Sequence, residues 1–375
     1  MSFDALSRTA RLVSGLVLLA FVTSHLVNLA IGLHSLDAME AWRATLMGPW
    51  QTAVGETLLG AAALVHALLG LYAIAARRSL ALSRTDVVQL VLGLLTPPLL
   101  IAHVLTMRVT GAFISEFEAG YGFALSLYWS FAPLYAFQQL FVVVIVWIHA
   151  ALGLYSWLVL KPIWRRIGGV VLPLLFAVPI AALAGFAEAG KEVLERLAQD
   201  ASWQAEVKAS ISLLAQAKPQ LDAMLQRVLA AYGGLLALAI GVLAARILRN
   251  RMQPVSIAYD EGMVATGRRG LSVLELSRMN DVPHADVCSG RGRCGTCRVR
   301  VESGAQLLTR PSTLERDTLA RVHAEAGVRL ACQARVLASG LLVTRLLPAY
   351  ADASASRRPE AWGVDGGPVA GEAAP

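Results

Sequence analysis

All four cysteines of the chain lie between positions 288 and 332, in a spacing that suits a metal centre. Three occur in the segment CSGRGRCGTC at 288–297, and the fourth follows after 34 intervening residues (298–331). A [2Fe–2S] cluster needs four thiolates and a loop whose backbone N–H groups point at the sulfurs. Glycines permit such tight wrapping because they lack a Cβ. The sequence therefore predicts a [2Fe–2S] cluster with four ligands: Cys288, Cys294, Cys297 and Cys332.

A disulfide framework and a zinc site are the competing interpretations of the cysteines. Disulfides are rare in cytoplasmic proteins, and the domain that carries these cysteines is placed on the cytoplasmic side below. A zinc site usually has two close C-x-x-C pairs, whereas this chain has one, formed by Cys294 and Cys297. Both interpretations are therefore weaker than the cluster.

Four of the seven histidines lie in long apolar stretches, one in each of the first four stretches that could cross a membrane. At about 1.5 Å per residue along helices of alternating direction, His25 and His103 reach a similar depth toward the outer face. His66 and His149 form a second pair nearer the inner face. A b-type haem with bis-histidine ligation requires one neutral imidazole on each side of the iron porphyrin. We therefore expect two haems b, one above the other along the membrane normal.

Two of these histidines stand in nearly identical segments, HALLGLY at 66–72 and HAALGLY at 149–155. In each, a glycine (Gly70 or Gly153) follows the histidine by four residues and so lies one turn away on the same helix face. A glycine there would let a flat macrocycle lie against the backbone. Close helix packing is the competing interpretation, because small residues serve it routinely in membranes. His34, at the outer end of the first stretch, is the chief competing ligand.

Other chemistry for the membrane histidines fits less well. Zinc or copper would need ligands that converge at one level, whereas these fall at two. A proton relay would normally include buried carboxylates, and the interiors of the first four stretches contain no Asp or Glu.

The composition predicts the elements that position these residues. Hydrophobic residues make up 56% of the chain and charged residues 16%, with a mean hydropathy of +0.57, which is too apolar for a soluble enzyme. Six stretches are long enough to cross a hydrocarbon core of about 30 Å. They lie at 12–33, 55–76, 87–107, 135–160, 168–187 and 229–248. We expect an all-α six-helix transmembrane bundle followed by a small α+β domain.

The expected organisation has three parts. Residues 1–252 form the membrane domain, 253–348 a globular domain, and 349–375 a disordered tail of small residues. Arginines and lysines concentrate at the N-terminus and in alternate connections, which places both termini and the globular domain in the cytoplasm by the positive-inside rule. The outer segment 188–228 is charged and helically patterned, so extramembrane helix is expected there.

The segments around the cysteines predict a small mixed sheet. Strands are predicted for VSIAYD (255–260), CRVRVESG (297–304) and GLLVTRLL (340–347). Helices are predicted for SVLELSRMN (272–280) and for STLERDTLARV (312–322), the latter beginning with a capping box.

In this context residues 254–347 resemble a [2Fe–2S] ferredoxin of the β-grasp fold. The five-residue gap between the first two cysteines is closer to the adrenodoxin-like branch than to plant ferredoxins. The segments CSGRGRCGTCRVRV and RLACQ further resemble the ferredoxin module of bacterial membrane-bound class III adenylate cyclases, in which a multi-helix membrane region precedes the ferredoxin. That resemblance implies a multi-pass protein of the bacterial inner (cytoplasmic) membrane.

The membrane half is similar in layout to the di-haem cytochrome b anchors of fumarate reductase and succinate dehydrogenase. In those anchors, paired histidines on four helices hold two haems, and quinone is the usual partner. The resemblance to the cyclases has a limit: only 27 residues follow Pro348, which is too few for a cyclase domain, and they lack its paired aspartates. No catalytic residues are predicted.

The resulting hypothesis is a membrane-bound electron-transfer and redox-sensing protein. It would link two quinone-facing haems b to a cytoplasmic [2Fe–2S] cluster and regulate an adenylate cyclase-type partner. The alternative is a quinol–ferredoxin type oxidoreductase component of respiratory electron transfer. A purely structural anchor is disfavoured by the four thiolates and four membrane histidines. No flavin or nicotinamide fingerprint is present, so the chain by itself cannot accept hydride.

Basic residues surround the predicted cluster. Between 253 and 347 there are thirteen arginines, no lysine and nine acidic residues. Five arginines lie in or near the cysteine segments: Arg291, Arg293, Arg298, Arg300 and Arg329. They predict a basic face for an anionic partner surface, haem propionates or lipid head groups, unless they simply solvate the sheet. A redox partner protein and a homodimer are further hypotheses, and nucleic acid is not expected.

Overall fold

The computed structural model describes residues 3–249 and 253–357. Six of its helices are long and apolar enough to cross a membrane, as the sequence predicts, and an α/β domain follows them. The long helices are α1 (Phe3–Ile31), α4 (Ala53–Ala75), α5 (Arg84–Val104), α8 (Pro133–Leu158), α9 (Trp164–Gln199) and α10 (Ala201–Arg249). Short helices α2 (Leu36–Leu46), α3 (Gly48–Gln51), α6 (Thr110–Phe113) and α7 (Tyr121–Ser126) lie between them, with π-helical turns at Leu105–Val109 and Leu127–Phe131. This architecture is consistent with a multi-pass membrane protein.

The last two long helices extend well beyond the predicted apolar stretches. The segment 188–228 is helical, as expected, but it continues α9 and α10 rather than forming separate elements. The helices part at Asp200, whose carboxylate accepts hydrogen bonds from the backbone N–H groups of Ser202 and Trp203. That contact satisfies donors left open at the start of α10.

The chain divides into two compact units. The first comprises Met1–Ile74, Val88–Leu154 and Arg165–Ala239, and the second comprises Ala75–Val87, Tyr155–Trp164 and Ile240–Pro375. In the first unit, α1 and α9 approach so closely that a Cβ on Gly185 would collide with the carbonyl of Leu29. Small residues allow such approach between membrane helices. A buried cluster that includes Leu26, Tyr128 and Phe186 fills the space around this contact.

The second unit contains a five-stranded mixed sheet. Its strands are β1 (Pro254–Tyr259), β2 (Val264–Arg268), β3 (Arg298–Ser303), β4 (Val328–Leu330) and β5 (Leu341–Arg345), in the order β2-β1-β5-β3-β4. β1 and β5 pair in parallel, and all other pairs are antiparallel. The helices are α11 (Val273–Met279) and α12 (Thr313–Arg321).

The second unit differs from the prediction in three details. Strand β2 lies outside the three predicted strand segments. The three-residue strand β4 carries too little pattern to be seen in the sequence. The complete capping box belongs to α11, where Ser272 and Glu275 bond reciprocally. At α12, Ser312 accepts from Glu315, but the Glu315 carboxylate binds Arg329 and the N–H of Leu330 instead of returning to the cap. The predicted capping box at α12 is therefore only half formed.

The predicted tail begins in ordered surroundings. Residues Ala353–Arg357 form a 3₁₀-helix, and Ala355 is buried against Ala285 and Leu347. Residues 358–375 of the predicted tail lie outside the described residues.

Candidate functional site

The four cysteines are brought together in the second unit as free, buried thiols. The Cys294 thiol lies 3.2 Å from the Cys288 sulfur. The Cys332 thiol hydrogen-bonds that of Cys297 and, together with burial, raises the pKa of Cys297. The thiols thus form two pairs, which is the arrangement that two irons with two thiolates each require.

The segment 288–297 is here called the cluster loop. It can wrap these sulfurs because some of its residues have positive φ angles, which glycine adopts readily. Gly292 and Gly295 have φ angles of +69° and +76°. A Cβ on Gly292 would lie 2.9 Å from Leu314, and one on Gly295 would lie 2.9 Å from Val322. Both the backbone conformation and the packing therefore exclude larger residues.

Hydrogen bonds reach the sulfurs of this loop, and at Cys288 they favour the thiolate. The pKa of Cys288 is lowered to about 5 by the Cys294 thiol and, against the effect of burial, by backbone N–H groups of the same loop. Two neighbouring side chains add to this pattern. The Thr296 hydroxyl lies 3.0 Å from the Cys294 sulfur, and the Gln333 amide donates to Cys332 over 3.5 Å. Sequence reasoning missed both, although each lies within two residues of a cysteine.

The arginines near the cysteines are held by internal contacts rather than forming one open basic face. Arg291 pairs with Asp86, Arg300 with Glu325, and Arg329 with the buried Glu315. Arg298 is itself buried and donates to the carbonyl of Val322, while Arg293 donates to two backbone carbonyls. Most of this charge therefore stabilises the second unit.

In the first unit, the structure places the four predicted histidines side by side in the pairs expected from their depth. The ring centres of His25 and His103 are 6.2 Å apart, and those of His66 and His149 are 6.1 Å apart. A metal lies about 2 Å from an imidazole nitrogen, so two imidazoles on opposite sides of one metal have ring centres about 6.4 Å apart. The ring-centre separation in both pairs is therefore close to that of two imidazoles that bind one metal.

Each histidine is oriented by a hydrogen bond at Nδ1. His66 contacts the carbonyl of Arg11 at 3.1 Å, and His149 the carbonyl of Gln89 at 2.9 Å. Because a carbonyl only accepts, Nδ1 carries the proton in these two rings and Nε2 keeps its lone pair. Metal-binding histidines usually have such a partner on the second nitrogen.

The other pair uses tyrosine hydroxyls in the same position. Tyr128 lies 2.8 Å from Nδ1 of His103, and Tyr121 lies 3.3 Å from Nδ1 of His25. Both tyrosines belong to the connection between α5 and α8, a segment that sequence reasoning did not single out.

The two pairs lie at different levels, as contacts on two helices show. On α1, Gly15 faces His66 while His25 faces His103; on α5, Gly93 faces His149 while His103 belongs to the other pair. Ten residues separate these positions on each helix, which corresponds to about 15 Å at the α-helical rise.

The glycines that touch the histidines are not those of the repeated segments. A Cβ on Gly93 would lie 2.7 Å from His149, and one on Gly15 would lie 3.0 Å from His66. By contrast, a Cβ on Gly70 would meet open space, and one on Gly153 would meet the Gln89 amide at 3.2 Å. The competing ligand His34 is exposed in the turn after α1, away from both pairs.

Comparisons with known proteins agree with the cysteine geometry. Residues 259–337 match the family described as 2Fe–2S iron–sulfur cluster binding domain. The chain is 29% identical over 97 residues to one component of the Na(+)-translocating NADH-quinone reductase of Chlamydia felis, covering 25% of this chain and 22% of the relative. It is 32% identical over 76 residues to chlorosome protein I of Chlorobaculum tepidum, covering 20% and 31%. The chain thus spans less than a third of either relative's length.

Among solved structures, the ISC-like [2Fe–2S] ferredoxin FdxB of Pseudomonas putida is 28% identical to this chain. The match covers 25% of this chain and 91% of that ferredoxin, with a TM-score of 0.23. From the family match and the sheet, the C-terminal region is a [2Fe–2S] ferredoxin domain, a module of electron transfer, preceded by six long apolar helices.

Proposed function

We propose that this protein is a membrane-bound electron carrier in which His25/His103 and His66/His149 hold two haems b, and Cys288, Cys294, Cys297 and Cys332 hold a [2Fe–2S] cluster. The observation that carries the proposal is the pairing of four imidazoles, each fixed by a hydrogen bond at Nδ1. Each of these groups, when bound, supplies one-electron transfer.

The residues of the first unit suit haem binding in three respects. The imidazoles of each pair stand at the spacing of axial ligands to one metal. Their second nitrogens are anchored, which keeps the rings oriented without a carboxylate. The open space beside Gly70, on the face of His66, supports the expectation that a flat macrocycle lies against the backbone there.

The four cysteines suit the cluster because they are shielded from water and because hydrogen bonds reach their sulfurs. All four are buried, and loop amides and the Thr296 hydroxyl point at the sulfurs. These contacts stabilise negative charge on the sulfurs and thereby set the potential at which an electron is accepted.

The proposal extends to the membrane and to partners. The arginine-rich connection Ala75–Val87 belongs to the same compact unit as the ferredoxin domain, which supports one shared side, the cytoplasmic side of a bacterial inner membrane by the positive-inside rule. Quinone as donor or acceptor follows from the resemblance to di-haem anchors. A partner of adenylate cyclase type that responds to the oxidation state follows from the resemblance of the cysteine segments.

A second function, as one component of a quinone-linked oxidoreductase, is favoured by one observation. The ferredoxin region is similar to part of a protein whose name assigns it to an NADH-quinone reductase. In that role the protein would turn over a quinone steadily, whereas a sensor would change a partner's activity without turnover of its own.

The test of the proposed function is a cofactor count on the purified full-length chain in detergent. We expect two haems per chain from the pyridine haemochrome and one [2Fe–2S] EPR signal per chain. His66→Ala should lose one haem, whereas the matched control His34→Ala should keep both. A protein with the cluster signal but no absorbance in the Soret region would contradict the haem assignment.

A further inference from the structure

We propose that the segment 77–86, here called the docking segment, is the surface through which electrons pass between the membrane region and the chain's own cluster loop, and that Asp86 and Arg291 are the positioning residues of this contact. This deepens the proposed function and rests on it for the electron-transfer role. The docking segment comprises most of the connection between α4 and α5 and the first turn of α5, and it lies in the second unit with the ferredoxin domain.

The central contact is an ion pair next to a cysteine. Arg291 donates to Asp86 over 2.9 Å, and the Asp86 side chain is only 9% exposed. The Ser83 hydroxyl lies 3.1 Å from that of Ser289, the residue that follows Cys288. The docking segment thus touches the cluster loop on both sides of Gly290.

The Asp86 carboxylate is also held in place by a contact within its own segment. The Ser83 hydroxyl donates to Asp86 over 2.9 Å and accepts from the Asp86 backbone N–H over 3.1 Å. This is the geometry of a helix N-cap at the start of α5. Because the cap fixes the Asp86 carboxylate, the guanidinium of Arg291 can bind it in only one position. The ion pair therefore attracts the cluster loop and also fixes where that loop binds on the docking segment.

Helix α11 of the ferredoxin domain adds contacts to the same segment. Arg278 donates to the carbonyl of Ala81 over 3.1 Å, and Ser79 donates to Glu275 over 2.7 Å. Four side chains of the ferredoxin domain therefore bind within ten residues of chain: Glu275, Arg278, Ser289 and Arg291.

A second connection holds the other arginine of the cluster loop. Arg293 donates to the carbonyls of Ser156 and Trp157 over 3.4 and 3.3 Å. These carbonyls belong to the last turn of α8, where helix carbonyls lack intrahelical partners and favour cations. Arg291 therefore binds the first turn of α5, and Arg293, two residues further along the cluster loop, binds the last turn of α8.

This geometry assigns a role to the face of the ferredoxin domain around Cys288. The cluster loop carries three of the four buried cysteines, so its atoms offer a direct covalent route for electrons to the cluster. That loop is in contact with the protein's own connections, so a soluble partner cannot occupy the same surface without displacing them. Electrons therefore pass between the cluster and the membrane region of the same chain through this contact, and a separate partner protein uses another face.

The experiment uses charge reversal and its rescue in the full-length protein with all cofactors bound. The variants are Asp86→Arg, Arg291→Asp and the double exchange, with Arg300→Asp, whose ion pair with Glu325 is exposed, as the matched control. After photoreduction of the cluster, the rate of haem reduction is followed by absorbance. Hydrogen exchange of the docking segment reports docking independently.

We expect each single reversal to slow haem reduction by at least about tenfold, because a buried charge is left without its partner. The amount of cluster and haem should stay unchanged, the docking segment should exchange faster, and the double exchange should restore both readouts. Asp86→Asn replaces Asp86→Arg if the latter fails to fold. An unchanged rate, or a double exchange no better than the singles, overturns the proposal. Absence of haem reduction in the wild type, with the docking segment still protected, overturns the proposed function instead.

Discussion

The ferredoxin domain and the membrane bundle prepare their sites in opposite ways. In the ferredoxin domain one loop of ten residues, 288–297, supplies three of the four thiols, the glycine turns and the amides that face the sulfurs. In the bundle each imidazole comes from a different helix, and its hydrogen-bond partner comes from yet another part of the chain. The cysteine site is contiguous in the chain and can be recognised from local sequence. The histidine site is dispersed over four helices and depends on how those helices pack.

The largest expected effect tests whether the two sites are independent. Cys294→Ser should abolish the [2Fe–2S] EPR signal, because a cluster with one thiolate replaced is poorly held. The haem content should remain unchanged, since the histidines lie in the other unit. Ser354→Ala, at an exposed serine, serves as control. Parallel loss of haem in Cys294→Ser would show that the two sites do not form separately.

The next effect tests the packing that forms the dispersed site. Gly93→Val places a branched side chain where even a Cβ lies 2.7 Å from His149. Because packed interiors tolerate little extra volume, the imidazole must move. The haem count should fall from two to one per chain. Gly241→Val, at a helical glycine with open space around it, should keep both. Full haem content in Gly93→Val would mean that His149 is not a ligand.

These two sites differ in how far they could be predicted. The cluster loop, the strands β1, β3 and β5 and the pairing of the histidines follow from motif, alternation and helix depth. Gly15 and Gly93 could not be found, because only the packed helices show which residue faces a given imidazole. The half-formed cap at Ser312 has the same cause: Glu315 is taken by Arg329, a partner fourteen residues away in the chain.

A smaller effect concerns the tyrosine that orients His103. Tyr128→Phe removes the hydroxyl at 2.8 Å from Nδ1 and leaves the ring in place. Loss of such a second partner weakens metal binding by about 10- to 100-fold. Haem loss during dilution in detergent, followed at the Soret band, should therefore be faster. Tyr155→Phe, whose ring packs on Trp164, is the matched control. Equal rates in the two variants would remove Tyr128 from the site.

The smallest effect concerns the contiguous site. Thr296→Val removes the hydroxyl at 3.0 Å from the Cys294 sulfur. A hydrogen bond to a cluster sulfur stabilises the more negative, reduced state, so its loss should make the reduction potential more negative. An EPR-monitored redox titration measures the shift, with Thr344→Val, at a partly exposed threonine far in the chain from the cysteines, as control. A shift toward positive potential would contradict the proposed role of this hydroxyl.

Electrons are expected to pass between the thiol-held and the imidazole-held centres of one chain. Flash photoreduction of the purified chain in nanodiscs, at several protein concentrations, measures this electron transfer. We predict that haem reduction follows cluster reduction at a rate independent of protein concentration, and that Cys294→Ser lacks this phase. Haems that stay oxidised beside a reduced cluster, or an identical phase in Cys294→Ser, would contradict the account.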